Sequence, residues 1–383
     1  MPSLFTIFFS LFTILVLASS THGSGTRTGT NTRPFKKIFA FGDSYTDTGN
    51  TVSGNGPAGF SFVSNPPYGS TFFHHPTNRY SDGRLVIDFV AEKLSLPYLS
   101  AYRNNKADKS NGVNFAVAGS TAIEHRFFVR NNLTLNITPQ SLQTQLYWFD
   151  KFLATQGCVN MTTTPNQCKA VFDEALIWVG EIGANDYAYI IGSTVTGNTI
   201  QHLALKRSTN FVQALLNKGA KYVVVQGLPT TGCLTLSMYL SGDDDRDDIG
   251  CLGSQNRQSY SHNTIYQAKL EDFRKEFPEA VIVYADYWNA YHTVMKNPTK
   301  YGFKELYKVC CGTGGGELNF DFFGACGSPA SSMCTVPSQY INWDGVHLTE
   351  GMYKVVSEMF LNGTFTHPPF DYLIKKKMQA GIN

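Results

Sequence analysis

Five short apolar segments recur along the chain, and their spacing is the feature that most limits the folds open to it. They are "KIFAF" from residue 37, "GVNFAVAG" from 112, "ALIWVG" from 175, "KYVVVQGL" from 221 and "AVIVYAD" from 280. All five are rich in β-branched or aromatic residues and almost continuously apolar. This composition is typical of strands that a parallel sheet buries on both faces.

Longer amphipathic segments lie between and after these strands, beginning at residues 84, 141, 199, 254 and 349. Strands that alternate with helices form crossover units, so the sequence predicts a three-layer α/β/α sandwich on a five-stranded parallel sheet. No repeat or low-complexity linker interrupts residues 36–365. We therefore assign residues 36–365 to a single domain and residues 366–383 to a C-terminal tail.

The N-terminus has the pattern of a secretion signal. Residues 4–18, "LFTIFFSLFTILVLA", are apolar apart from small hydroxyl residues, and "SSTHGSG" follows with small residues suited to cleavage. We place the signal peptide at residues 1–22. A retained anchor is the alternative, but the stretch is short for a membrane span and no other apolar run approaches 18 residues.

Eight cysteines and four Asn-x-Ser/Thr sequons fit the same secretory route. No CxxC pair occurs, and neighbouring spacing suggests the disulfides Cys158–Cys168 and Cys233–Cys251. The other four cysteines must pair among themselves in an order that the sequence does not fix: Cys310, Cys311, Cys326 and Cys334. The sequons, each indicating a surface loop in a secreted chain, start at Asn132, Asn136, Asn160 and Asn362.

Charge and motif content exclude several classes of partner. A net charge of +2 over 383 residues makes no basic field, so nucleic acid is not expected as a partner. No cofactor and no metal are predicted, because HExxH and paired CxxC motifs are missing from the sequence. The acidic "GDDDRDD" from residue 242 lacks the ligand spacing of an EF-hand and is interpreted as an exposed loop. The oligomeric state is not predicted.

Chemistry in an open parallel sheet is expected at the carboxyl ends of its strands. The turn "FGDSYTDTGN" offers Ser44 at such a position. A serine nucleophile needs an imidazole to accept its proton and a carboxylate to orient the imidazole, and "WDGVHL" supplies both as Asp344 and His347. The α/β-hydrolase motif GxSxG does not occur. An ordinary turn is the alternative for either motif taken alone.

Two further strand ends supply candidate donors for an oxyanion. Gly119 follows the second predicted strand and would allow the close approach of a backbone N–H. Asn185 follows the third and carries an amide that does not titrate. The alternatives are a glycine needed for helix–sheet packing and an Asn-Asp turn.

The blocks "FGDSYTDTGN", "GVNFAVAGST", "GANDY" and "WDGVHLTE", in that order, resemble the conserved blocks of the GDSL esterase/lipase family, the SGNH hydrolases, and in particular its secreted plant branch. The resemblance spans residues 37 to about 362 and implies a flavodoxin-like fold. It implies Ser44 as nucleophile and first oxyanion donor, Gly119 and Asn185 as the other donors, His347 as general base, and Asp344 as the acid that orients it.

The chain departs from the family pattern at two positions. Tyr45 replaces the leucine of the family name, and Ala184 replaces a common glycine. Neither change removes a group that does chemistry, although both could reshape the pocket wall. Asp43 is a candidate second carboxylate, with a structural role in fixing the turn as the favoured interpretation.

The resemblance implies a secreted serine esterase or lipase that hydrolyses a small carboxylic ester through an acyl-enzyme on Ser44. An acyltransferase that passes the acyl group to an alcohol would use the same residues and is the first alternative. A non-catalytic secreted binding protein on the same scaffold is the second, and the presence of all three triad residues counts against it. The expected location is extracellular, in the cell wall, or in the vacuole.

Overall fold

Each of the five predicted apolar segments forms a strand of one central sheet in the computed structural model, which describes residues 33–52, 62–135 and 138–381. The strands are β1 (Lys37–Phe41), β2 (Gly112–Asn114), β3 (Ala175–Val179), β4 (Tyr222–Gln226) and β5 (Val281–Ala285). Their spatial order is β2-β1-β3-β4-β5, and all neighbouring pairs among these five are parallel. This is the flavodoxin-like order, so the predicted fold class is confirmed.

Shorter strands follow in the C-terminal part of the chain. They are β6 (Glu305–Val309), β7 (Cys311–Gly312), β8 (Ser332–Met333), β9 (Tyr340–Asn342) and β10 (Thr366–His367). β6 pairs with β9, β7 pairs with β8, and β10 joins the central sheet beside β5. The pairing of β10 with β5 is antiparallel, so the central sheet has a sixth strand at one edge.

The described residues also form helices on both sides of the sheet. These are α1 (Val86–Lys93), α2 (His125–Arg130), α3 (Leu142–Thr155), α4 (Pro165–Asp173), α5 (Ala184–Ala188), α6 (Gly197–Asn217), α7 (Thr235–Leu240), α8 (Gly253–Glu276), α9 (Tyr287–Lys296), α10 (Glu350–Leu361) and α11 (Phe370–Ala380). Short 3-10 helices cover Thr231–Cys233, Pro298–Tyr301 and Pro337–Gln339. The five predicted amphipathic segments coincide with α1, α3, α6, α8 and α10.

The side chains of β1 point alternately to the two faces of the sheet, and the sheet thereby divides the core into two layers. Ile38 and Ala40 pack into the cluster that contains residues of α1, α9, α10 and α11. Phe39 and Phe41 point the other way, into the cluster that contains residues of α2, α3, α4, α6 and α8. Because successive side chains of a strand face opposite sides, a strand that is apolar throughout requires a helical layer on each face.

Two parts of the fold differ from the prediction. The second strand ends at Asn114, because its side-chain Oδ1 accepts a hydrogen bond from Ala116 N at 2.9 Å and so starts a turn. Residues 366–380, expected in a tail, belong to the domain as β10 and α11. Phe370 and Leu373 lie on one face of α11 and are fully buried, which fixes this helix against the sheet layer.

Four disulfides occur among the described residues. Cys158 bonds to Cys168 and Cys233 to Cys251, the two pairs that the spacing suggests. The pairing that the sequence left open is Cys310–Cys334 and Cys311–Cys326. These last two bonds lie in a buried cluster with Tyr68, Tyr80 and Trp343, beside the Asp344–His347 segment.

The sequon asparagines and the helices are the described features that concern secretion and membrane attachment. Asn132, Asn160 and Asn362 are exposed, whereas the sequon residue Asn136 lies outside the described residues, as does the predicted signal peptide. Asn362 Oδ1 accepts a hydrogen bond from Thr364 Oγ1 at 2.7 Å, within one sequon. Among the residues the structure describes, no helix combines the length and the apolar character needed to cross a bilayer.

Candidate active site

The turn after β1 places Ser44 at the carboxyl edge of the sheet. Gly42 begins the turn with φ +140°, and a Cβ there would lie 3.0 Å from the carbonyl oxygen of Glu181. Asp43 Oδ1 then accepts a hydrogen bond from Tyr45 N at 3.0 Å, and its carbonyl accepts from Thr46 N. Ser44 is therefore held in a tight, buried bend rather than in a free surface loop.

The loop after β9 brings Asp344 and His347 into direct contact. His347 Nδ1 lies 2.9 and 2.8 Å from the two carboxylate oxygens of Asp344. Asp344 Oδ1 also accepts from the backbone N–H groups of Val346 at 3.1 Å and His347 at 2.9 Å. Because Nδ1 faces the carboxylate, it carries the proton and leaves Nε2 as the acceptor nitrogen of the neutral ring.

A tyrosine from a distant part of the chain, which the sequence did not indicate, also binds Asp344. Tyr68 donates its hydroxyl to Asp344 Oδ2 at 2.7 Å, across 276 positions of sequence. Burial acts to raise the pKa of Asp344, but the His347 charge and the hydrogen bonds from His347 and Tyr68 outweigh it and hold that pKa below its usual value. Asp344 is therefore ionised at neutral pH. No local sequence pattern marks Tyr68 as its partner.

Tyr45 connects the Ser44 turn to the His347 loop. Its hydroxyl donates to Val346 O at 2.8 Å, and its ring centroid lies 5.9 Å from that of His347. The structure thus brings together two motifs that lie about 300 positions apart. The hydrogen bond between a serine nucleophile and its base often tightens only when substrate binds.

Gly119 lies in a turn that packs directly against the Ser44 turn. Val117 N donates to Gly42 O at 3.3 Å, and Ala118 N donates to Asp47 Oδ2 at 3.0 Å. Gly119 itself has φ +76°, and its carbonyl accepts the hydroxyl of Tyr189 at 2.8 Å. Within the described part of the chain, the backbone N–H groups of Ser44 and Gly119 donate to no acceptor, as two oxyanion donors awaiting a ligand would.

Asn185 lies in the first turn of α5 and joins the same group. Its amide nitrogen donates to Asp43 Oδ2 at 2.9 Å and to Ser120 O at 3.0 Å, so it bridges the turns that follow β1 and β2. An amide nitrogen carries two hydrogens. An oxyanion bound by Asn185 would therefore share or replace one of these two bonds.

Three buried carboxyl groups lie behind these donors: Asp43, Glu181 and Asp186. Burial and the negative charge of the neighbouring Glu181 raise the pKa of Asp43 well above its usual value. Both effects disfavour the ionised form of Asp43. The Asp43 carboxylate accepts hydrogen bonds from Tyr45 N and from the Asn185 amide, and these bonds fix the turn, which is the favoured interpretation of this residue. No local sequence pattern indicates that Glu181 lies near Asp43.

Comparisons with known proteins show which family this chain resembles in sequence. A family model described as GDSL-like Lipase/Acylhydrolase matches residues 38–360. A GDSL esterase/lipase of Arabidopsis thaliana is 57% identical over 353 residues, covering 90% of this chain and 91% of the relative. A protein named acetylajmalan esterase 2 from Rauvolfia serpentina is 38% identical over 337 residues, covering 86% and 90%. A solved acetylxylan esterase mutant from Geobacillus stearothermophilus aligns at TM-score 0.39 and 11% identity, covering 85% of this chain and 93% of that one.

Proposed function

The chain belongs to the GDSL-like lipase/acylhydrolase family and is a carboxylic ester hydrolase, and from that premise we propose that it is a secreted serine esterase with Ser44 as its nucleophile. One observation carries the proposal. The Asp344–His347 pair, with contacts of 2.8 and 2.9 Å, is joined to the Ser44 turn by the hydrogen bond from Tyr45 to Val346. Nucleophile, base and orienting acid therefore belong to one packed unit.

The proposed reaction has two steps. Ser44 Oγ attacks the ester carbonyl while its proton passes to His347 Nε2, and the backbone N–H groups of Ser44 and Gly119, with the Asn185 amide, stabilise the oxyanion. The C–O bond of the ester breaks, the alcohol leaves with the proton from His347, and the acyl group stays on Ser44. Water then attacks the acyl carbonyl while it gives a proton to the same imidazole, the bond from Ser44 Oγ to the acyl carbon breaks, and His347 returns the proton to Ser44 Oγ as the acid leaves.

The first test compares Ser44→Ala with Ser208→Ala on p-nitrophenyl acetate. Ser208 is equally buried but lies in α6, outside the proposed site, so its variant controls for the loss of a buried hydroxyl. We expect Ser44→Ala to abolish turnover and Ser208→Ala to retain it. Labelling by a fluorophosphonate probe should disappear in Ser44→Ala alone. Substantial turnover by folded Ser44→Ala would refute the assignment, and no labelling of the wild type would favour the non-catalytic binding protein.

Acyl transfer is the second candidate function, because the same residues would form the acyl-enzyme on Ser44 and an alcohol would replace water as the acceptor. An alcohol acceptor that fills the site would exclude water from the acyl group. The test is product partition during turnover as benzyl alcohol is added. Hydrolysis alone at every alcohol concentration would count against transfer, and a rising share of benzyl ester would support it.

The substrate class needs a panel of esters rather than one reporter. Because a 38% identical relative is named acetylajmalan esterase 2, the panel should run from acetyl to long acyl esters and include an acetylated sugar. A preference for acetyl esters would indicate that this chain acts on the acyl group that the relative's name specifies. A preference for long acyl esters would favour lipase activity.

Secretion is supported by the apolar N-terminal segment, the four disulfides and the three exposed sequon asparagines. Expression of the full chain in a eukaryotic host should yield protein in the medium whose N-terminus begins near residue 23 and whose mass falls on deglycosylation. Retention in the membrane fraction with residues 1–22 intact would indicate an anchor instead.

A further inference from the structure

We infer that Tyr45 and Tyr68 are positioning residues for the reaction, each fixing one part of the Asp344–His347 loop through its hydroxyl. The inference rests on the proposed function, because it assigns these hydroxyls to a loop that carries the proposed acid and base. Neither tyrosine touches a reacting atom in the proposed mechanism. Their role is to hold the carboxylate and the imidazole where Ser44 can use them.

Tyr68 fixes the carboxylate. The hydroxyl donates to Asp344 Oδ2 at 2.7 Å, so that oxygen is held by Tyr68 while Oδ1 is held by the backbone N–H groups of Val346 and His347. Tyr68 is 2% exposed, and its ring packs edge-on against Trp343 at 5.9 Å. Burial and the nearby Asp344 raise the pKa of Tyr68 well above its usual value, so the hydroxyl remains a donor.

Tyr45 fixes the backbone on the other side of the loop. Its hydroxyl donates to Val346 O at 2.8 Å, and Val346 N is held by Asp344 Oδ1, so both polar groups of residue 346 have a side-chain partner. The Tyr45 ring lies 6.0 Å from that of Tyr287 and 5.8 Å from that of Tyr353, both in edge-on contacts. Leucine or phenylalanine at position 45 could fill this apolar space but could not donate to Val346 O.

The loop turns between its acid and the rest of the segment, so contacts from other elements help to set where Asp344 and His347 lie. Gly345 has φ +99° and lies between Asp344 and Val346. Catalytic groups must be held to within a fraction of an ångström, and a misplacement of about 1 Å can lower the rate on the order of 100-fold. Hydroxyls from residues 45 and 68 thus hold a loop whose sequence alone does not determine its position.

The experiment compares Tyr45→Phe and Tyr68→Phe with Tyr307→Phe in the full chain. Tyr307 donates its hydroxyl to Ile249 O, so the control loses the same kind of bond away from the site. For Tyr45→Phe we expect kcat for p-nitrophenyl acetate to fall about tenfold with KM within about twofold of the wild-type value, because geometry rather than substrate binding is lost. Tyr307→Phe should retain kcat even where its melting temperature falls.

Tyr68→Phe should produce a different signature in the pH profile of kcat/KM. A carboxylate that loses one donor holds positive charge on the adjacent imidazole more strongly. The acid limb of the profile should therefore move to higher pH by roughly half to one unit, the equivalent of one hydrogen bond. In Tyr45→Phe the limb should stay in place, because no donor to Asp344 is removed.

Wild-type kcat and an unmoved acid limb in both variants, with Ser44→Ala inactive, would refute the positioning roles and leave the proposed function standing. Turnover by Ser44→Ala would instead refute the proposed function. If Tyr45→Phe does not fold, Tyr45→Leu, which restores the residue of the family name, replaces it. A wild-type kcat in folded Tyr45→Leu would equally overturn the role of Tyr45.

Discussion

Replacing Asp344 by asparagine should stop turnover almost completely, and the structure says why. Two backbone N–H groups, from Val346 and His347, point at Asp344 Oδ1. An asparagine would keep its carbonyl oxygen there to accept them. Its NH2 group would then occupy the place of Oδ2, facing His347 Nδ1. Nδ1 lies 2.9 Å from the Oδ1 position and 2.8 Å from the Oδ2 position, so the wild-type ring faces two acceptors. An NH2 group only donates, so at the Oδ2 position it opposes an Nδ1–H and favours the tautomer with the proton on Nε2.

The magnitude follows from that change of tautomer. With its proton on Nε2, His347 cannot accept the proton of Ser44, so the base is present in the wrong form. The equivalent exchange in a serine protease lowers kcat by about 10⁴-fold. At about 1.36 kcal/mol for each factor of ten, we expect a loss of about 5.4 kcal/mol of transition-state stabilisation.

The assay is kcat for p-nitrophenyl acetate at pH 7.5 for wild type, Asp344→Asn and Asp286→Asn. Asp286 caps α9, where its side chain accepts from Asn289 N, and asparagine is an equally good cap. The pKa of Asp344 is held below its usual value, so its ionised form stabilises the wild type above about pH 4 and this contribution is lost only as the pH falls further. A folded Asp344→Asn within about tenfold of the wild-type rate would refute the tautomer argument.

Truncating Asn185 to alanine should lower kcat by on the order of 100-fold, as for other single oxyanion donors, and a near-normal rate would remove Asn185 from the donor set. Burial raises the pKa of Asp186 to about 7, so its contribution to stability is full below about pH 4 and is lost as the pH rises through about 7. Asp186→Asn should therefore melt at a temperature that changes less between pH 4 and 7 than in the wild type, and an equal slope would contradict this. Replacing Cys311 and Cys326 by serine opens a crosslink that spans 15 positions and should lower the free energy of unfolding by about 3 kcal/mol in urea titrations; a loss below about 1 kcal/mol would argue against it.

The family pattern expects leucine at position 45, and the fold explains why tyrosine is accommodated there. The ring fills an apolar space between Tyr287 and Tyr353, as a leucine could in part, while its hydroxyl reaches Val346 O. The substitution therefore adds a polar contact to an apolar position. The motif around Ser44 drew attention to Tyr45, but nothing in the sequence indicated that its hydroxyl binds Val346 O.

The sequence by itself determined the five parallel strands, the helices that alternate with them, the three motif blocks at strand ends and the fourth block before the last amphipathic helix. These features are local: a run of apolar residues indicates a strand buried on both faces, and the carboxyl ends of parallel strands meet at one edge. Ser44, Gly119 and Asn185 could therefore be placed at that edge before any contact was known. The Asp344–His347 pair could also be predicted from the sequence, because its two members are three residues apart.

Only the tertiary structure decided which distant residues hold these groups in place. Tyr68 reaches Asp344 across 276 positions, and Asn185 reaches Asp43 across 142, with nothing in either local sequence to indicate the partner. The pairing of the last four cysteines and the packing of α11 on the sheet likewise depend on the tertiary structure. Periodicity reports which face of an element is buried, whereas the identity of a contact depends on how the whole chain packs.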